Sequence, residues 1–421
     1  MENFCGLSHL FMTVFLSCFS SFMVIPPMID ITLSAICPGQ DECSLAIYLT
    51  GVQQVIVGLG SLVMMPVFGN LSDIYGRKFM LTVPMTLSIF PLAILACSRT
   101  KYYFYAYYVL RTLIAMICEG SVQCLALAYV ADNVPESRRA SVFGVLSGIA
   151  SSAFVCGNLS ARFLSTASTF QIAAAMAVIA LVYMKMFLPE SIMKDNICSK
   201  ETETICLLEK TPKKGFQFFK TLPSFSDMLC LLKTSSTFLH AAIYFLKAQF
   251  HFNKTQFADL MIISGIAGSI SQLLLMPILA PAFGEEKLLC IGLFFSCLHM
   301  SLYSIAWSSW VPYASALISI LATFAMPCLK SIASKQIGPN GQGKVQGCIT
   351  GICSFASVVS PLIFSPLTAL FLSQSAPFHF PGFGIACAAF ASMLAFIQSL
   401  LIKPDNSVAN CSVNHSNLAD P

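Results

Sequence analysis

Gly69-Asn70-Leu71-Ser72-Asp73-Ile74-Tyr75-Gly76-Arg77-Lys78 is a short polar stretch between two apolar runs that are each long enough to cross a bilayer. Its two glycines permit a sharp reversal of the chain. Asp73 is a lone acid in this turn, and Arg77 and Lys78 are donors and cytoplasmic anchors at the start of the next run. Any short loop between membrane helices contains glycine and a few charges, but here their order and spacing also follow a specific pattern.

The composition is that of an integral membrane protein. Hydrophobic residues make up 56% and charged residues 10% of the 421 positions, where a soluble protein carries about 25% charged residues. The formal net charge of +4 is too small to indicate nucleic acid binding. Most of the 18 cysteines lie in apolar runs and act as small hydrophobic residues. Cys37 and Cys43 flank a polar loop in which a disulfide is possible.

Twelve apolar runs follow one another along the chain, and all but the seventh approach or exceed the ~17 residues that cross a membrane as a helix. The seventh has about 13 residues, or about 20 Å of helix against a hydrocarbon core of about 30 Å. Either its flanking lysines reach the interface and the helix extends through Phe252, or part of this helix is missing. The runs are Leu10–Ala35, Leu45–Phe68, Phe79–Cys97, Tyr102–Val130, Ala140–Leu164, Ile172–Leu188, Thr234–Leu246, Phe257–Ala282, Leu288–Ala306, Trp310–Ile332, Val345–Leu372 and Phe383–Ile402.

Charge distribution predicts the orientation and the division of the chain. With twelve crossings, most of the 23 lysines and arginines fall on one side, which places the amino terminus and the central loop in the cytosol. Both the plasma membrane and internal membranes fit this pattern. We expect a six-helix bundle at 1–188, a central cytoplasmic loop at 189–233, a second bundle at 234–402 and a disordered tail at 403–421. The second bundle should repeat the polar turn, and Pro277–Lys287 lies at that position without a Gly-Arg pair.

The fourth run contains two charged residues, Arg111 and Glu119, which should face a cavity or a partner rather than lipid. On a continuous helix, their separation of eight residues is about 12 Å along the axis and about 80° around it, so we expect no close pair. Asp30, at a similar depth, is the expected partner of Arg111. Glu119, nearer the middle of the membrane, is the candidate for gaining and losing a proton. A structural role for all three residues stays open.

Other polar residues inside the runs are candidates for lining a cavity, whereas nothing in the sequence indicates an enzyme. The histidines have no paired spacing for a metal site, and no glycine-rich loop precedes Lys-Ser or Lys-Thr. We therefore expect no metal and no cofactor. The candidate cavity residues are Gln53, Gln54, Gln123, Gln272 and His299.

The pattern Gly-x-x-x-Asp-x-x-Gly-Arg-Lys between the second and third runs resembles the signature loop of the major facilitator superfamily of secondary transporters. This resemblance implies a fold of two pseudo-symmetric six-helix bundles. Arg111 resembles a second motif of that family, which is linked to proton coupling, and the stretch from Tyr129 to Asp132 resembles tetracycline-resistance-type carriers. Ile74 departs from the family, which often has a basic residue there. The implied cytoplasmic gate network is Gly69, Asp73, Gly76, Arg77, Lys78, Asp132 and Arg138.

Stretches of the second half, including Gln256–Leu260 and Lys335–Lys344, resemble the eukaryotic hippocampus-abundant-transcript-like, or tetracycline-transporter-like, branch. The resemblance implies a proton-coupled carrier of a small organic solute, similar to drug:proton antiporters, that works by alternating access. A sugar or metabolite carrier of the same fold is one alternative. A non-transporting receptor or scaffold, or an inactive isoform, is another. The expected partners are the lipid bilayer, a small-molecule substrate and protons, and we expect a monomer that binds no nucleic acid.

Glycosylation during expression in eukaryotic cells tests whether the seventh run crosses the membrane. With twelve crossings, the acceptor at Asn253 lies outside the cytosol, whereas those at Asn410 and Asn414 lie inside it and stay bare. We expect Asn253→Gln to remove a glycosidase-sensitive mobility shift, and the double variant Asn410→Gln/Asn414→Gln to leave that shift unchanged. The reverse pattern would mean that the seventh run does not cross.

Overall fold

The computed structural model describes residues 2–36, 44–191, 245–246, 249–252, 254–337, 341–372, 377 and 380–400. These residues form helices joined by short turns and contain no β-strand, so the prediction of an all-α membrane protein is confirmed. The first half, residues 2–191, contains α1 (Glu2–Met23), α2 (Ile25–Ile36), α3 (Ser44–Tyr75), α4 (Arg77–Cys97), α5 (Lys101–Cys118), α6 (Ser121–Asn133), α7 (Glu136–Phe163) and α8 (Thr166–Phe187). The second half, residues 245–400, contains α9 (Lys254–Ile270), a π-helical segment (Ser271–Leu275), α10 (Met276–Phe283), α11 (Glu285–Ser304), α12 (Val311–Ala322), α13 (Ala325–Lys335), α14 (Gln342–Leu372) and α15 (Phe383–Leu400).

Ten segments of the described chain are long and apolar enough to cross a membrane. Six of them match the six predicted runs of the first half, and four match runs eight, nine, ten and twelve. Helix α14, with 31 residues, covers the eleventh run. Most of the seventh run lies outside the described residues, so the total of twelve crossings stays a prediction.

Several other expectations also fall outside the described residues. They concern Cys37 and Cys43, most of the central loop at 189–233 and the tail at 403–421. The bundle boundaries at 1–188 and 234–402 therefore stay predictions. Within the described residues, buried apolar side chains form two clusters in the first half, around Phe143 and around Phe170, and two in the second half, around Phe324 and around Phe245.

Three of the apolar runs are interrupted rather than continuous helices. The first run is broken at Val24, the fourth at Glu119 and Gly120, and the tenth after Ala322. Gly120 has a φ of 80°, a left-handed conformation that glycine adopts without strain. The fourth and tenth runs are the fourth members of their respective halves. Interruption of corresponding helices is typical of a binding site that lies between two repeats.

A single glycine turn ends α3 and begins α4, and a second one joins α10 to α11. Gly76 has φ 98° and ψ 152°, and Gly284 has φ 80° and ψ 157°. The two turns therefore have the same backbone shape, although Glu285 stands where the first turn has Arg77. We call the end of the molecule that carries both turns the turn face.

The two halves approach each other closely near the turn face, where α3 packs against α14. Glycines at 343, 347 and 351 recur every four residues and so line one side of α14. A Cβ at Gly347 would overlap the carbonyl oxygen of Met65, and one at Gly69 would overlap that of Gly343. On the other side of the interface, Gly144 of α7 leaves space for Met276 of α10. Small residues thus allow the backbones of the two halves to touch.

Replacing Gly347 with alanine should lower the thermal stability of the purified protein, because its Cβ would meet helix backbone. We expect a cost of about 1–3 kcal/mol, which is typical of overpacking. Gly51→Ala in α3, the helix on which α14 packs, is the matched control, because a Cβ at Gly51 meets no atom within 4 Å. It should be neutral or slightly stabilising. Equal melting temperatures for the two variants in detergent would contradict close packing of α3 on α14.

Candidate functional site

A cavity of about 1170 Å³ lies between the two halves. Its walls come from α2, α3, α5 and α7 of the first half and from α9 and α11 to α14 of the second. The volume is somewhat larger than the roughly 300–1,000 Å³ of pockets that hold drug-sized ligands. The lining residues occupy the stretches of these helices that lie away from the turn face. They include Glu119 and Thr323, which lie at the interruptions of the fourth and tenth runs.

The two walls of the cavity differ in chemistry. The first-half wall carries the formally charged side chains, Arg111 and Glu119, together with Gln53 and Gln54. The second-half wall is formed by methionines, leucines and hydroxyl groups, and its one basic group is His299. This wall is therefore amphipathic without a permanent charge. Its hydroxyl residues are Ser264, Ser296, Tyr303, Ser319, Thr323, Ser354 and Ser357.

Arg111 and Glu119 form an ion pair, with Arg111 Nη2 3.1 Å from Glu119 Oε2. The expectation that they would not pair was wrong, because it assumed one continuous helix. Helix α5 ends at Cys118, and Glu119 has extended backbone angles of φ −62° and ψ 124°. Because Glu119 lies outside the helix, its carboxylate does not take the direction around the axis that a continuous helix would give it. The long side chains of Arg111 and Glu119 then reach each other. Asp30 lies in α2 but its side chain is not among those described, so its predicted pairing with Arg111 stays a prediction.

Three of the five uncharged candidate residues line the cavity, and two do not. Gln53 donates from Nε2 to Thr112 Oγ1 at 2.9 Å, and Gln54 is exposed to the cavity. His299 Nδ1 lies 2.7 Å from the carbonyl oxygen of Ser315. Gln123 and Gln272 do not line the cavity. Gln123 is half-buried in α6. Gln272 is buried in the π-helical segment, and its Oε1 accepts a hydrogen bond from Ser151 Oγ at 3.4 Å.

At the turn face, a cluster of hydrogen bonds surrounds the guanidinium of Arg77, which is only 1% exposed. Its Nε donates to Asp132 Oδ2 at 2.8 Å, and its Nη2 donates to Asp73 Oδ1 at 2.5 Å. Its Nη1 donates to Ser72 Oγ. A buried arginine needs such partners, because an uncompensated charge would be costly away from water.

Asp73 connects this cluster to the other half. Its two carboxylate oxygens accept hydrogen bonds from the backbone N–H groups of Gly343 and Lys344, each at 3.0 Å. These N–H groups lie in the first turn of α14, where free donors and the helix dipole favour an anion. A Cβ at Gly343 would overlap Arg77 and Gly69, so only glycine fits there. The contact closes the turn face between α3 and α14.

Glu190 also belongs to this cluster, although the sequence had placed it in the central loop. Its carboxylate accepts hydrogen bonds from the backbone N–H of Arg77 at 2.7 Å and of Lys78 at 3.1 Å. It therefore caps the amino terminus of α4, which the Gly76 turn leaves without a side-chain cap of its own. The sequence feature that could have indicated this role is an acidic residue directly after the sixth run. Lys78 contributes its backbone N–H, and no ion pair of its side chain is found among the described residues. We call Ser72, Asp73, Arg77, Asp132 and Glu190 the Arg77 cluster.

Arg138 was expected in this network, but its side chain is exposed and the adjacent Arg139 is buried instead. Arg139 Nη1 donates to Ser334 Oγ at 3.0 Å in the second half, and its Nη2 donates to the carbonyl oxygen of Ala131 at 3.0 Å. Successive residues of a helix are rotated by about 100°, so only one of two adjacent arginines at the start of α7 can point into the interface. The sequence alone did not indicate which one.

Among the described residues, no group of three or more histidines, cysteines and acids could hold a metal ion. The described residues place two polar features at the site. One is the exchangeable ion pair in the cavity, and the other is the hydrogen-bonded closure at the turn face.

Comparisons with known proteins identify relatives of this chain. A family model described as the Major Facilitator Superfamily matches residues 10–361. The human Hippocampus abundant transcript-like protein 1 is 23% identical over 399 residues, covering 88% of this chain and 76% of that protein. The mouse Hippocampus abundant transcript 1 protein is 22% identical, covering 77% of this chain and 66% of that protein. The class E tetracycline resistance protein of Escherichia coli is 22% identical, covering 75% of this chain and 77% of that protein.

Solved structures share the fold. The human organic anion transporter MFSD10 (TETRAN) superposes with a TM-score of 0.74 at 18% identity, covering 95% of this chain and all of that one. A bacterial homologue of the iron transporter ferroportin, in an outward-facing state, superposes with a TM-score of 0.65 at 15% identity, covering 93% of this chain and 98% of that one. At these identities the likeness concerns the fold.

Replacing Arg77 with lysine should destabilise the protein, because an ammonium cannot donate to Ser72, Asp73 and Asp132 in the fork geometry of a guanidinium. We expect a loss of about 2 kcal/mol, the scale of a hydrogen bond to a charged group. Arg138→Lys is the matched control and should change stability by less than about 0.5 kcal/mol. Thermal unfolding in detergent measures both. A similar shift for the two variants would contradict a structural role for the Arg77 cluster.

Proposed function

Because this chain belongs to the Major Facilitator Superfamily, we propose that it moves a small organic solute across its membrane by alternating access, coupled to protons. Its family and its transporter relatives make it a transporter rather than an enzyme. We further propose that it acts as a monomer. The competing hypothesis from another class is a non-transporting receptor or an inactive isoform.

Alternating access requires a cavity that is closed on one side, and the described geometry supports this. The Arg77 cluster and the glycine contacts between α3 and α14 close the turn face, while the cavity lies between the halves beyond it. We propose that the turn face is cytosolic, because the basic residues of the chain concentrate on that side. The structure then corresponds to an outward-facing state.

The observation that carries the proposal of proton coupling is the ion pair of Arg111 and Glu119 inside the cavity. A single 3.1 Å contact joins them, and their side chains are 39% and 48% exposed. An exposed pair of this kind is weak and therefore exchangeable. When another group occupies Arg111, Glu119 loses its positive neighbour and its protonated form is favoured. Substrate binding at Arg111 and proton binding at Glu119 would thus be linked.

The unequal walls support an amphipathic organic solute. A guanidinium presents several N–H donors and suits an anionic or strongly polar group, and the methionine- and leucine-containing wall opposite suits an apolar body. A similar structure belongs to a protein described as an organic anion transporter, and relatives include tetracycline resistance proteins, so both classes of solute are proposed for testing. The hydroxyl and amide groups of the walls favour the second candidate, a sugar-like metabolite.

Flux in proteoliposomes under an imposed proton gradient tests this function, using solutes selected by thermal stabilisation of the purified protein. We expect Glu119→Gln to reduce gradient-driven flux about tenfold, within the range of typical coupling energies, because an amide cannot take up the proton. Arg111→Gln should weaken solute binding as well as flux.

Glu286→Gln is the control, since it makes the same chemical change at the turn face outside the cavity. Gradient-driven flux that is unchanged in Glu119→Gln would show the coupling assignment to be wrong. If the unmodified protein moves none of the stabilising solutes, the receptor or inactive-isoform hypothesis is favoured.

A further inference from the structure

The second half carries an ion pair in the same place as the pair of Arg77 and Asp132. Glu285 is the first residue of α11, directly after the Gly284 turn, as Arg77 is the first residue of α4 after the Gly76 turn. Its Oε1 lies 3.0 Å from Nζ of Lys335, the last residue of α13, and Glu285 is only 8% exposed. Asp132 lies near the end of α6, the corresponding helix of the first half. The two pairs therefore occupy corresponding positions with their charges exchanged.

A second contact between the halves joins a different pair of helices and uses a charge of the opposite sign. At the first turn, the anion of Asp73 meets the N–H groups at the amino end of α14. On the other side, the cation of Arg139 at the start of α7 meets Ser334 in the last turn of α13, with Nη1 3.0 Å from Oγ and 3.4 Å from the carbonyl oxygen. The amino end of a helix favours an anion and the carboxyl end favours a cation. Each contact therefore matches its charge to the helix end that it meets.

Arg139 and Glu285 each have a buried side-chain atom with capacity for one more hydrogen bond. Nε of Arg139 and Oε2 of Glu285 are both buried, and neither has a hydrogen-bond partner among the described residues. Glu136, Glu285 and Asp132 are the carboxylates close enough to act electrostatically on Arg139. Glu285 is paired with Lys335, whose side chain is 37% exposed, and is one of these three carboxylates. Because Lys335 directly follows Ser334, this ion pair holds the end of α13 that Arg139 contacts.

The two contacts between the halves are joined through α14 and α6. Ser334 accepts a second hydrogen bond at its carbonyl oxygen, from Gln342 Nε2 at 2.9 Å, and Gln342 directly precedes Gly343. At the other end, Arg139 donates to the carbonyl oxygen of Ala131, which directly precedes Asp132. A continuous path of hydrogen bonds and single peptide links therefore runs around the turn face.

We propose that Arg139, Glu285 and Lys335 form a second lock, which holds the turn face closed together with the Arg77 cluster and has the opposite charge arrangement. This role rests on the proposed alternating-access function, because a lock serves a transporter only if the face also opens. In the second lock, Arg139 binds the two halves together through Ser334, and Glu285 holds the end of α13 that carries Ser334 through its ion pair with Lys335.

Hydrogen–deuterium exchange of the full-length protein in lipid nanodiscs tests the second lock without requiring a solute. In Arg139→Gln and Glu285→Gln, the backbone amides in the first two turns of α7 and α14 should exchange about tenfold faster than in the unmodified protein, because the turn face opens more often. Lys335→Gln should behave similarly, whereas Lys335→Arg keeps the charge and should exchange as the unmodified protein does. Arg77→Gln serves as the positive control for opening.

Glu286→Gln is the matched negative control, because it removes an acid next to Glu285 that makes no ion pair among the described residues. Exchange in α8, which does not contribute to the second lock, reports whether a variant is folded. The inference is wrong if Arg139→Gln and Glu285→Gln exchange no faster than Glu286→Gln, or if α8 accelerates as much as α7 and α14. Failure of the proposed function would instead appear as absent solute flux in the unmodified protein.

Discussion

The closure of the turn face depends on one constraint, which is that a buried arginine must have its hydrogen bonds satisfied. Arg77 is almost fully enclosed, and its donors are taken up by Ser72, Asp73 and Asp132. The arrangement requires glycine at several neighbouring positions, because side chains there would occupy the space of the guanidinium or of the facing backbone. Asp73 then uses its remaining lone pairs on the amino end of α14. Satisfying a single charge thus brings two halves of the molecule into contact.

The cavity depends on interruptions of helices rather than on their regularity. The fourth run ends its first helix at Cys118, and the next helix starts after the left-handed Gly120. The break turns Glu119 away from the direction that a continuous helix would give it. Its Oε2 therefore lies 3.1 Å from Nη2 of Arg111. The tenth run is interrupted at the corresponding place in the second half, beside the cavity. The polar groups of the candidate site are therefore presented where the helical hydrogen-bonding pattern is broken.

The turn face shows that a repeated fold need not repeat its charges. The Gly76 and Gly284 turns have the same backbone angles, but the first is followed by a cation and the second by an anion. Arg77 forms ion pairs with two carboxylates, those of Asp73 and Asp132, whereas Glu285 forms one with Lys335, so the signs of the charges are exchanged but their number differs. The contacts between the halves also fit, because helix ends of opposite sign receive groups of opposite charge. What the two halves share is a buried charged residue directly after the glycine turn, paired with a group of opposite charge near the end of a neighbouring helix.

The sequence by itself determined the all-helical membrane fold and the placement of most crossings. Polar backbone groups in lipid must be hydrogen-bonded within a helix, so each crossing is visible as a long run of apolar residues. The resemblance of the sequence motifs to a known family also grouped Asp73, Arg77 and Asp132, and the charges in the fourth run marked Arg111 and Glu119 as residues that should face a cavity or a partner. Only the tertiary structure decided between Arg138 and Arg139, placed Glu190 at the start of α4 and left Gln123 and Gln272 outside the cavity. Hydropathy reports that a residue is buried but not which helix it faces. A single glycine in an apolar run does not indicate that the helix is broken there. Contacts across such breaks, and contacts between the halves, are therefore known only from the packed structure.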